Sequence, residues 1–331
     1  MSDQREREYG IDVARIFAMF LVVLFHVVGL LSGYNGKGTV GGRITAAFSI
    51  CCVDLFTLIS GYVGSASRFR YSKIVNLWIQ VVFTGLVIVG GGTILGYFHP
   101  TLKDCGKVCL PFAAHAYWYL NAYVFLYLLT PFLNAGLEKM SKGDLKRLVG
   151  VIFVFIVLIP SFNPYVSDTY LLSDGMSTLW LIIGYLIGAL VFRCPIAFGG
   201  FGFWLLMAMV MTGVTFLKIG AYDHPSILAT AFCYLVAGTK LKINGVRTRS
   251  MITVLSSCAL GVYVWHMQPL LHIKMLNCFS FVANYNQVIS VALMVSISIA
   301  MYLCVSVLEF GRIKLFKLLG TEQMVKRLLR E

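Results

Sequence analysis

Long apolar stretches recur along the whole chain, and they restrict its fold more than any other feature. Most are about 20 residues long, which is the length a helix needs to cross a hydrocarbon core of about 30 Å. Only 12% of the residues are charged and the mean hydropathy is +0.82, both far from the values of soluble domains. The stretches cover residues 11–31, 44–63, 74–97, 117–133, 148–159, 179–192, 201–217, 227–241, 252–272 and 288–310. We therefore predict an all-α integral membrane protein, a single bundle of about ten transmembrane helices.

The net charge of +13 is distributed in the way that membrane topology favours. If the N-terminus is cytosolic, all but six of the 27 basic residues fall on the cytosolic side. The six on the outer side are Lys37, Arg43, Lys103, Lys107, Lys218 and Lys274. This bias predicts that both termini are cytoplasmic and that the charge reflects topology rather than nucleic-acid binding. Residues 1–331 are predicted to form one polytopic domain, with a short cytosolic N-terminus (1–9) and a basic tail (311–331).

Two ionisable residues lie inside the first apolar stretch. Arg15 and His26 are eleven residues apart, which places them on one face of a helix, about 16 Å apart along its axis. Asp12 falls on nearly the same stripe and is predicted to pair with Arg15. Ionisable groups at membrane depth by default mark a functional path. The alternatives are that Arg15 extends to the headgroups and that His26 only packs against a neighbouring helix.

His26 is the candidate general base. Burial disfavours the imidazolium, so a neutral ring that can take a proton from a hydroxyl is expected. Asp54 lies near the centre of the second stretch, where a carboxylate needs a partner, and the antiparallel first helix offers His26 or Arg15. Asp54 is therefore predicted to orient the imidazole. A structural ion pair and a protonated acid are the alternatives. Gly61, further along, would allow two helices, or a helix and a ligand, to approach closely.

Both mouths of the bundle carry candidate binding residues. Arg68, Arg70 and Lys73 form a basic cluster at the predicted cytosolic mouth, which is suited to phosphates, although topology alone would also produce it. An aromatic run at the predicted outer face is either an interfacial belt or a platform for a sugar. The candidate substrate-binding residues of that run are His115, Trp118, Tyr119 and Tyr123. His266, in the ninth stretch before a proline break, is a candidate pocket wall, with helix kinking as the alternative.

The nine cysteines indicate no metal site. Most are isolated in apolar stretches, where they behave as small hydrophobic residues. Cys105 and Cys109 are predicted to lie outside, where a disulfide could persist. No spacing of Cys and His matches a zinc site.

These motifs together resemble those of the acyltransferase 3 family of bacterial membrane proteins. The resemblance covers nearly the whole chain. Within the family, the chain is similar to the stand-alone branch found among exopolysaccharide and capsule modification proteins. The motifs are Gly10-Ile-Asp-Val-Ala-Arg15 with His26 after ten residues, Asp54-Leu-Phe-x-x-x-Ser60-Gly-Tyr62, Trp118-Tyr-Leu-x-Ala-Tyr123, Tyr127-Leu-Leu-Thr-Pro-Phe-Leu-Asn134 and Gly261-Val-Tyr263-x-x-His266.

The resemblance implies transfer of an acyl group, most often acetyl from cytosolic acetyl-CoA, to a carbohydrate hydroxyl, in a multi-pass protein of the bacterial inner membrane. His26 would take the hydroxyl proton or form a transient acyl-imidazole. The pantetheine arm would pass Arg15 on its way to His26; alternatively, Arg15 would stabilise charge on the thioester oxygen if the helix bends or a water bridges the gap. Residues expected to hold the donor are Arg15, Ser60, Arg68, Arg70 and Lys73.

Two features limit what the resemblance implies. Many members carry Arg-x-x-Arg after the second helix, whereas here Arg70-Tyr-Ser-Lys73 has a lysine that keeps the charge but loses bidentate phosphate recognition. A transporter or flippase for a lipid-linked sugar would also suit buried charges and an aromatic mouth. Such transporters often show an internal repeat, and the Arg-x10-His motif occurs once here.

Overall fold

The computed structural model describes residues 7–32, 39–163, 166 and 169–331, and these residues contain helices but no β-strand. The first seven helices are α1 (Tyr9–Ser32), α2 (Val40–Ser49), α3 (Cys52–Gly64), α4 (Tyr71–Ile94), α5 (Leu102–Cys109), α6 (Trp118–Lys139) and α7 (Lys142–Ile152). Helix α7 continues through a π-helical segment, Phe153–Leu158, and a last α-turn, Ile159–Phe162. The others are α8 (Thr178–Arg193), α9 (Phe201–Leu217), α10 (Pro225–Lys240), α11 (Val246–His266), α12 (Pro269–Asn277), α13 (Gln287–Leu318) and α14 (Thr321–Leu329). Short 3₁₀ turns lie at Ser173–Gly175 and Ser280–Asn284.

The all-α prediction is confirmed. Each of the ten predicted apolar stretches lies mostly in helix, although the second (44–63) is divided between α2 and α3 and the ninth (252–272) between α11 and α12. Six segments of the described chain are long and apolar enough to cross a membrane. They are Tyr9–Gly29, Val40–Gly64, Tyr71–Ile94, Trp118–Lys139, Lys142–Phe162 and Gln287–Leu318. Helices α8 and α9 are apolar but shorter. The chain is thus a multi-pass membrane protein, while ten crossings and cytoplasmic termini stay predictions.

Two predicted boundaries differ from the observed ones. In the ninth stretch, 252–272, helix α11 ends at His266 and α12 begins at Pro269. The break lies here because Pro269 has no backbone N–H with which to continue α11. The side chain of Gln268 accepts bonds from the backbone N–H groups of Leu270 and Leu271 at the start of α12. The predicted tail 311–331 is mostly helical, since α13 extends to Leu318 and α14 packs against α4.

Glycines bring α3 and α8 into backbone contact. A Cβ atom on Gly61 would lie 2.0 Å from the carbonyl oxygen of Tyr185, and one on Gly188 would lie 2.0 Å from that of Leu58. Without a hydrophobic force between helices in lipid, such close approach through small residues is a main source of attraction. The role expected of Gly61 from the sequence is therefore confirmed. This contact fixes one face of α3 against α8 and leaves the opposite face for the cavity described below.

The variant Gly61→Ala is expected to destabilise the protein by about 3 kcal/mol, because its methyl group would overlap the α8 backbone, which cannot move aside cheaply. The measurement is the thermal unfolding midpoint of the purified protein in detergent. The matched control is Gly90→Ala on α4, where nothing lies within 4 Å of the added Cβ. Equal midpoints for the two variants would contradict the packing assigned to Gly61.

A buried polar cluster fastens α13 to its neighbours. Glu309, 1% exposed in its side chain, accepts two bonds from Arg312, at 2.6 and 2.9 Å. Its carboxylate also accepts a bond from Gln80 of α4 at 3.2 Å and one from Trp265 of α11 at 3.1 Å. A charge pair at this depth persists because each oxygen is hydrogen-bonded. The cluster therefore fixes α11 near its C-terminal end, which carries His266.

Candidate active site

A cavity of about 350 Å³ runs between α1, α3, α6 and α11. Its α1 wall includes Phe25 and a row of Arg15, Met19, Val22 and His26, which follow one another at intervals of four, three and four residues. Those intervals keep side chains on one face of a helix. The structure therefore places Arg15 and His26 on the same wall, as the eleven-residue spacing predicts.

Arg15 is fixed at this wall by polar contacts. Its Nη1 donates to Asp12 Oδ1 at 2.8 Å and to Ser256 Oγ at 3.0 Å. Ser256 of α11 also donates to Asp12 at 2.8 Å, and Arg7 binds the second carboxylate oxygen. The predicted Asp12–Arg15 pair is thus present. Among the described residues, the hydrogen bonds of the Arg15 side chain come from Nη1. The side chain is also 29% exposed. The other guanidinium N–H groups can therefore bind a ligand.

His26 contacts a second histidine. Its Nδ1 lies 3.4 Å from Nε2 of His266, which is 1% exposed. The Nδ1 of His266 lies 2.5 Å from the carbonyl oxygen of Val262, one turn earlier on α11. The ring of His272 meets that of His26 edge-on, with centroids 5.7 Å apart. The sequence singled out His26 and His266 separately but did not predict that they touch.

The predicted contact of Asp54 with His26 or Arg15 is wrong. Its Oδ1 accepts a bond from Trp180 Nε1 of α8 at 2.8 Å, and its side chain is buried. Asp54 lies about 200° around the helix from Phe56, which lines the cavity. It therefore faces α8, as Gly61 does, seven residues later. Depth in the membrane could be estimated from the sequence, but the direction of the side chain around α3 could not.

Two of the three predicted phosphate-binding residues lie at one mouth of the cavity. Arg68 and Lys73 line it, with Lys73 Nζ 5.7 Å from the centre of the Tyr127 ring. Arg70 does not line it, and its backbone exchanges hydrogen bonds with the Tyr127 hydroxyl instead. Ser60 lines the cavity further in, with its hydroxyl bonded to the carbonyl of Phe56 at 2.8 Å.

A carboxylate caps α4 beside this mouth. The side chain of Glu331 accepts bonds from the backbone N–H groups of Tyr71 and Ser72, at 2.6 and 3.2 Å. Hydrogen bonds from Ser72 hold the pKa of Glu331 below its usual value. Because these N–H groups are already engaged, an anion at the mouth has the side chains of Arg68 and Lys73 as its available donors.

Aromatic rings form the cavity around His26. Trp118, Tyr119 and Tyr123 line it, as predicted for substrate-binding residues, and the structure adds Tyr222 and Tyr263. The rings of Trp118 and Tyr222 are 6.1 Å apart and tilted by 32°, and those of Tyr119 and Tyr263 are 5.9 Å apart. Tyr263 was part of a quoted motif, whereas Tyr222 lies between α9 and α10 and had no signal in the sequence.

Two other predicted substrate contacts lie elsewhere. His115 lines a separate cavity of about 280 Å³ together with Gln268, and its Nδ1 lies 3.2 Å from the side-chain nitrogen of Asn121. His266 stands behind His26 and does not line the main cavity. Both were assigned from their position in the aromatic run or the ninth stretch, which does not specify the cavity that a side chain faces.

Cys52 lines the main cavity, whereas the two cysteines that the sequence predicts to lie outside are on α5. Cys105 and Cys109 lie one turn apart on α5 as free thiols, so the disulfide that their predicted outer location would allow is not formed. Across the described ranges, no group of three or more His, Cys, Asp or Glu is placed to hold a metal ion.

The comparison with protein families identifies the class of protein to which this cavity belongs. A family model for the acyltransferase domain of the acyltransferase 3 family matches residues 8–308. The chain belongs to this family. The match includes every residue that lines the main cavity, and the protein is an acyltransferase. No match was found among curated proteins or among solved structures.

Proposed function

We propose that this acyltransferase transfers an acetyl group from acetyl-CoA to a hydroxyl of a carbohydrate, in an exported polysaccharide or its lipid-linked precursor. One observation carries the proposal: a single cavity joins a cationic mouth, at Arg68 and Lys73, to an imidazole deep in the bundle, at His26. Two substrates that enter from opposite ends of such a cavity can meet at His26 without either one crossing the bilayer.

The donor end has the chemistry that coenzyme A requires. Arg68 and Lys73 provide cations for its phosphates. Beyond them the wall is largely apolar, with Val63, Leu126 and Met19 along the path, which suits the uncharged pantetheine arm. Arg15 lies about 16 Å from His26 along α1 and contacts the arm on its way, so it would act on binding more than on the thioester.

The acceptor end has the chemistry that a sugar requires. Trp118 and Tyr222 contribute two rings, tilted by 32°, to the cavity that His26 lines, and Tyr119 and Tyr263 contribute two more. Sugar rings pack their C–H faces against aromatic rings, and phenol hydroxyls bind their polar edges. These rings orient one hydroxyl of the acceptor toward the imidazole.

The reaction is written with His26 as general base. The acceptor oxygen attacks the thioester carbonyl carbon while a ring nitrogen of His26 takes the hydroxyl proton. Collapse of the tetrahedral intermediate forms the ester and breaks the carbon–sulfur bond. The imidazolium then returns its proton to the departing thiolate, which gives free coenzyme A and neutral His26. No metal or redox group enters these steps.

The test is release of free thiol from acetyl-CoA by the purified protein in lipid nanodiscs. We expect release that depends on added cell-surface polysaccharide extract, together with radiolabel from [¹⁴C]acetyl-CoA in the carbohydrate fraction. His26→Ala should abolish both signals, and His99→Ala, which changes an exposed histidine in the loop before α5, should leave them unchanged. Label incorporated into protein, or into lipid that carries no sugar, but never into carbohydrate would overturn the acceptor class while leaving the acyltransferase.

A further inference from the structure

We propose that His266 is a positioning residue that fixes the tautomer of His26, so that Nε2 of His26 is the basic nitrogen that faces the substrate. The proposal rests on the proposed function, because it assigns a task within general-base catalysis to a residue that does not line the cavity. Its basis is a chain of three groups: the Val262 carbonyl, the ring of His266 and the ring of His26.

The first link sets the tautomer of His266. A carbonyl oxygen accepts hydrogen bonds and cannot donate them. The 2.5 Å contact between His266 Nδ1 and the Val262 oxygen therefore requires a proton on Nδ1. In a neutral imidazole the other nitrogen then carries a lone pair, so His266 Nε2 is an acceptor. The ring is buried among helices and belongs to the end of α11 that Trp265 fastens to Glu309.

The hydrogen bond between the two rings then determines the tautomer of His26. Since His266 Nε2 accepts, His26 Nδ1 is the donor in the contact that joins the two rings across 3.4 Å. The backbone of Val22, one turn earlier on α1, is a second acceptor for a ring N–H of His26, so the variant at His266 shows which of the two acceptors fixes the tautomer. The neutral His26 ring then has its lone pair on Nε2. The bond is long, as catalytic hydrogen bonds often are before the substrate binds. In catalytic histidines, the bond made by one ring nitrogen decides which state the other one takes.

The pair also stabilises the charge that develops during the reaction. When His26 takes a proton at Nε2, its Nδ1–H bond to His266 becomes charge-assisted and stronger. This gain occurs only once the proton has moved, so it lowers the barrier rather than tightening substrate binding. A neutral imidazole in this role avoids a second buried charge at membrane depth. Asp54, the residue expected to orient His26, is bonded to Trp180 and faces away.

Two substitutions separate positioning from packing. His266→Phe keeps an aromatic ring of similar volume but removes the acceptor, and we expect kcat to fall about 100-fold with the KM for acetyl-CoA unchanged. His266→Gln retains an amide oxygen near the position of Nε2, and it should recover at least a tenth of the wild-type kcat. The comparison variant is His272→Phe, which keeps a ring at the edge contact with His26 and removes an imidazole that bonds to the backbone of His266 rather than to its ring; its kcat should stay within about threefold of wild type.

The tautomer itself is read by ¹⁵N NMR of histidine-labelled protein in nanodiscs, with His26 assigned from the spectrum of His26→Gln. Wild type should show His26 protonated on Nδ1, and His266→Phe should lose that signature. Protonation on Nε2 in wild type, or a signature unchanged in His266→Phe, would overturn the proposal. The same holds if the Phe and Gln variants lose equal activity. Because this readout needs no turnover, an absence of acyl transfer would contradict the proposed function without deciding the tautomer.

Discussion

Replacing His26 by alanine is expected to lower kcat about 1,000-fold while the KM for acetyl-CoA changes by less than about threefold. The proton of an alcohol must leave as its oxygen attacks the thioester, and a positioned base contributes 10²–10⁴-fold to such a step. His26 lies eleven residues from Arg15 on the same wall, on the side of the cavity away from Arg68 and Lys73. Loss of its ring should therefore leave donor binding intact.

The measurement is steady-state thiol release at saturating acceptor, with thermal unfolding of each variant as the folding control. Imidazole added to His26→Ala should restore part of kcat, because a small base can enter the space that the ring has left. A variant that unfolds at the wild-type temperature and keeps full kcat would remove His26 from the chemistry. A large rise in KM with unchanged kcat would instead make it a donor-binding residue.

Single-turnover kinetics separate the two chemical roles of His26. If His26 is a general base, no thiol is released until the acceptor is present. A nucleophile releases about one equivalent of thiol per protein without acceptor and leaves an acyl-imidazole on the ring. The proposed tautomer is compatible with both roles, since each needs a lone pair on Nε2. We expect no burst of thiol without acceptor, which would support direct transfer.

The α1 wall could be predicted because it depends on the geometry of a single helix. Each residue turns an α-helix by about 100°, so the shared face of Arg15 and His26 and the contact of Asp12 with Arg15 follow from spacing alone. The Pro269 break follows from the missing N–H of proline. None of these inferences requires knowledge of which helix is the neighbour.

The partners of buried groups could not be predicted, because they depend on how helices are arranged around one another. Asp54 was expected to need a partner, and it is buried, yet α8 lies on the side of α3 that it faces, and its partner is Trp180. His26 finds its partner 240 residues away, in His266. Arg312 was counted as a charge of the tail, whereas it closes a buried pair with Glu309 inside α13.

The double variant Arg68→Ala/Lys73→Ala is expected to raise the KM for acetyl-CoA about 30-fold with little change in kcat. Both cations line the mouth but are solvent-exposed, so each contact with a phosphate is worth about 1 kcal/mol, and every 1.4 kcal/mol changes an affinity about tenfold. The decisive comparison is with S-acetylpantetheine, which carries the thioester but no phosphate. Its KM should be the same in wild type and variant.

The control must remove the same number of charges from the same predicted side, because basic residues also determine topology. Lys146→Ala/Arg147→Ala on α7 does so at exposed positions away from the cavity, and its KM for either donor should be that of wild type. The sequence assigned all three cations to the donor, whereas in the structure Arg70 does not line the cavity. The variant Arg70→Ala separates these two interpretations. If the Arg68/Lys73 variant weakened both donors equally, its cations would act on the fold or insertion of the protein, and the phosphates would bind elsewhere. A selective loss with acetyl-CoA would place the phosphates at this mouth and make the cavity the path of the thioester to His26.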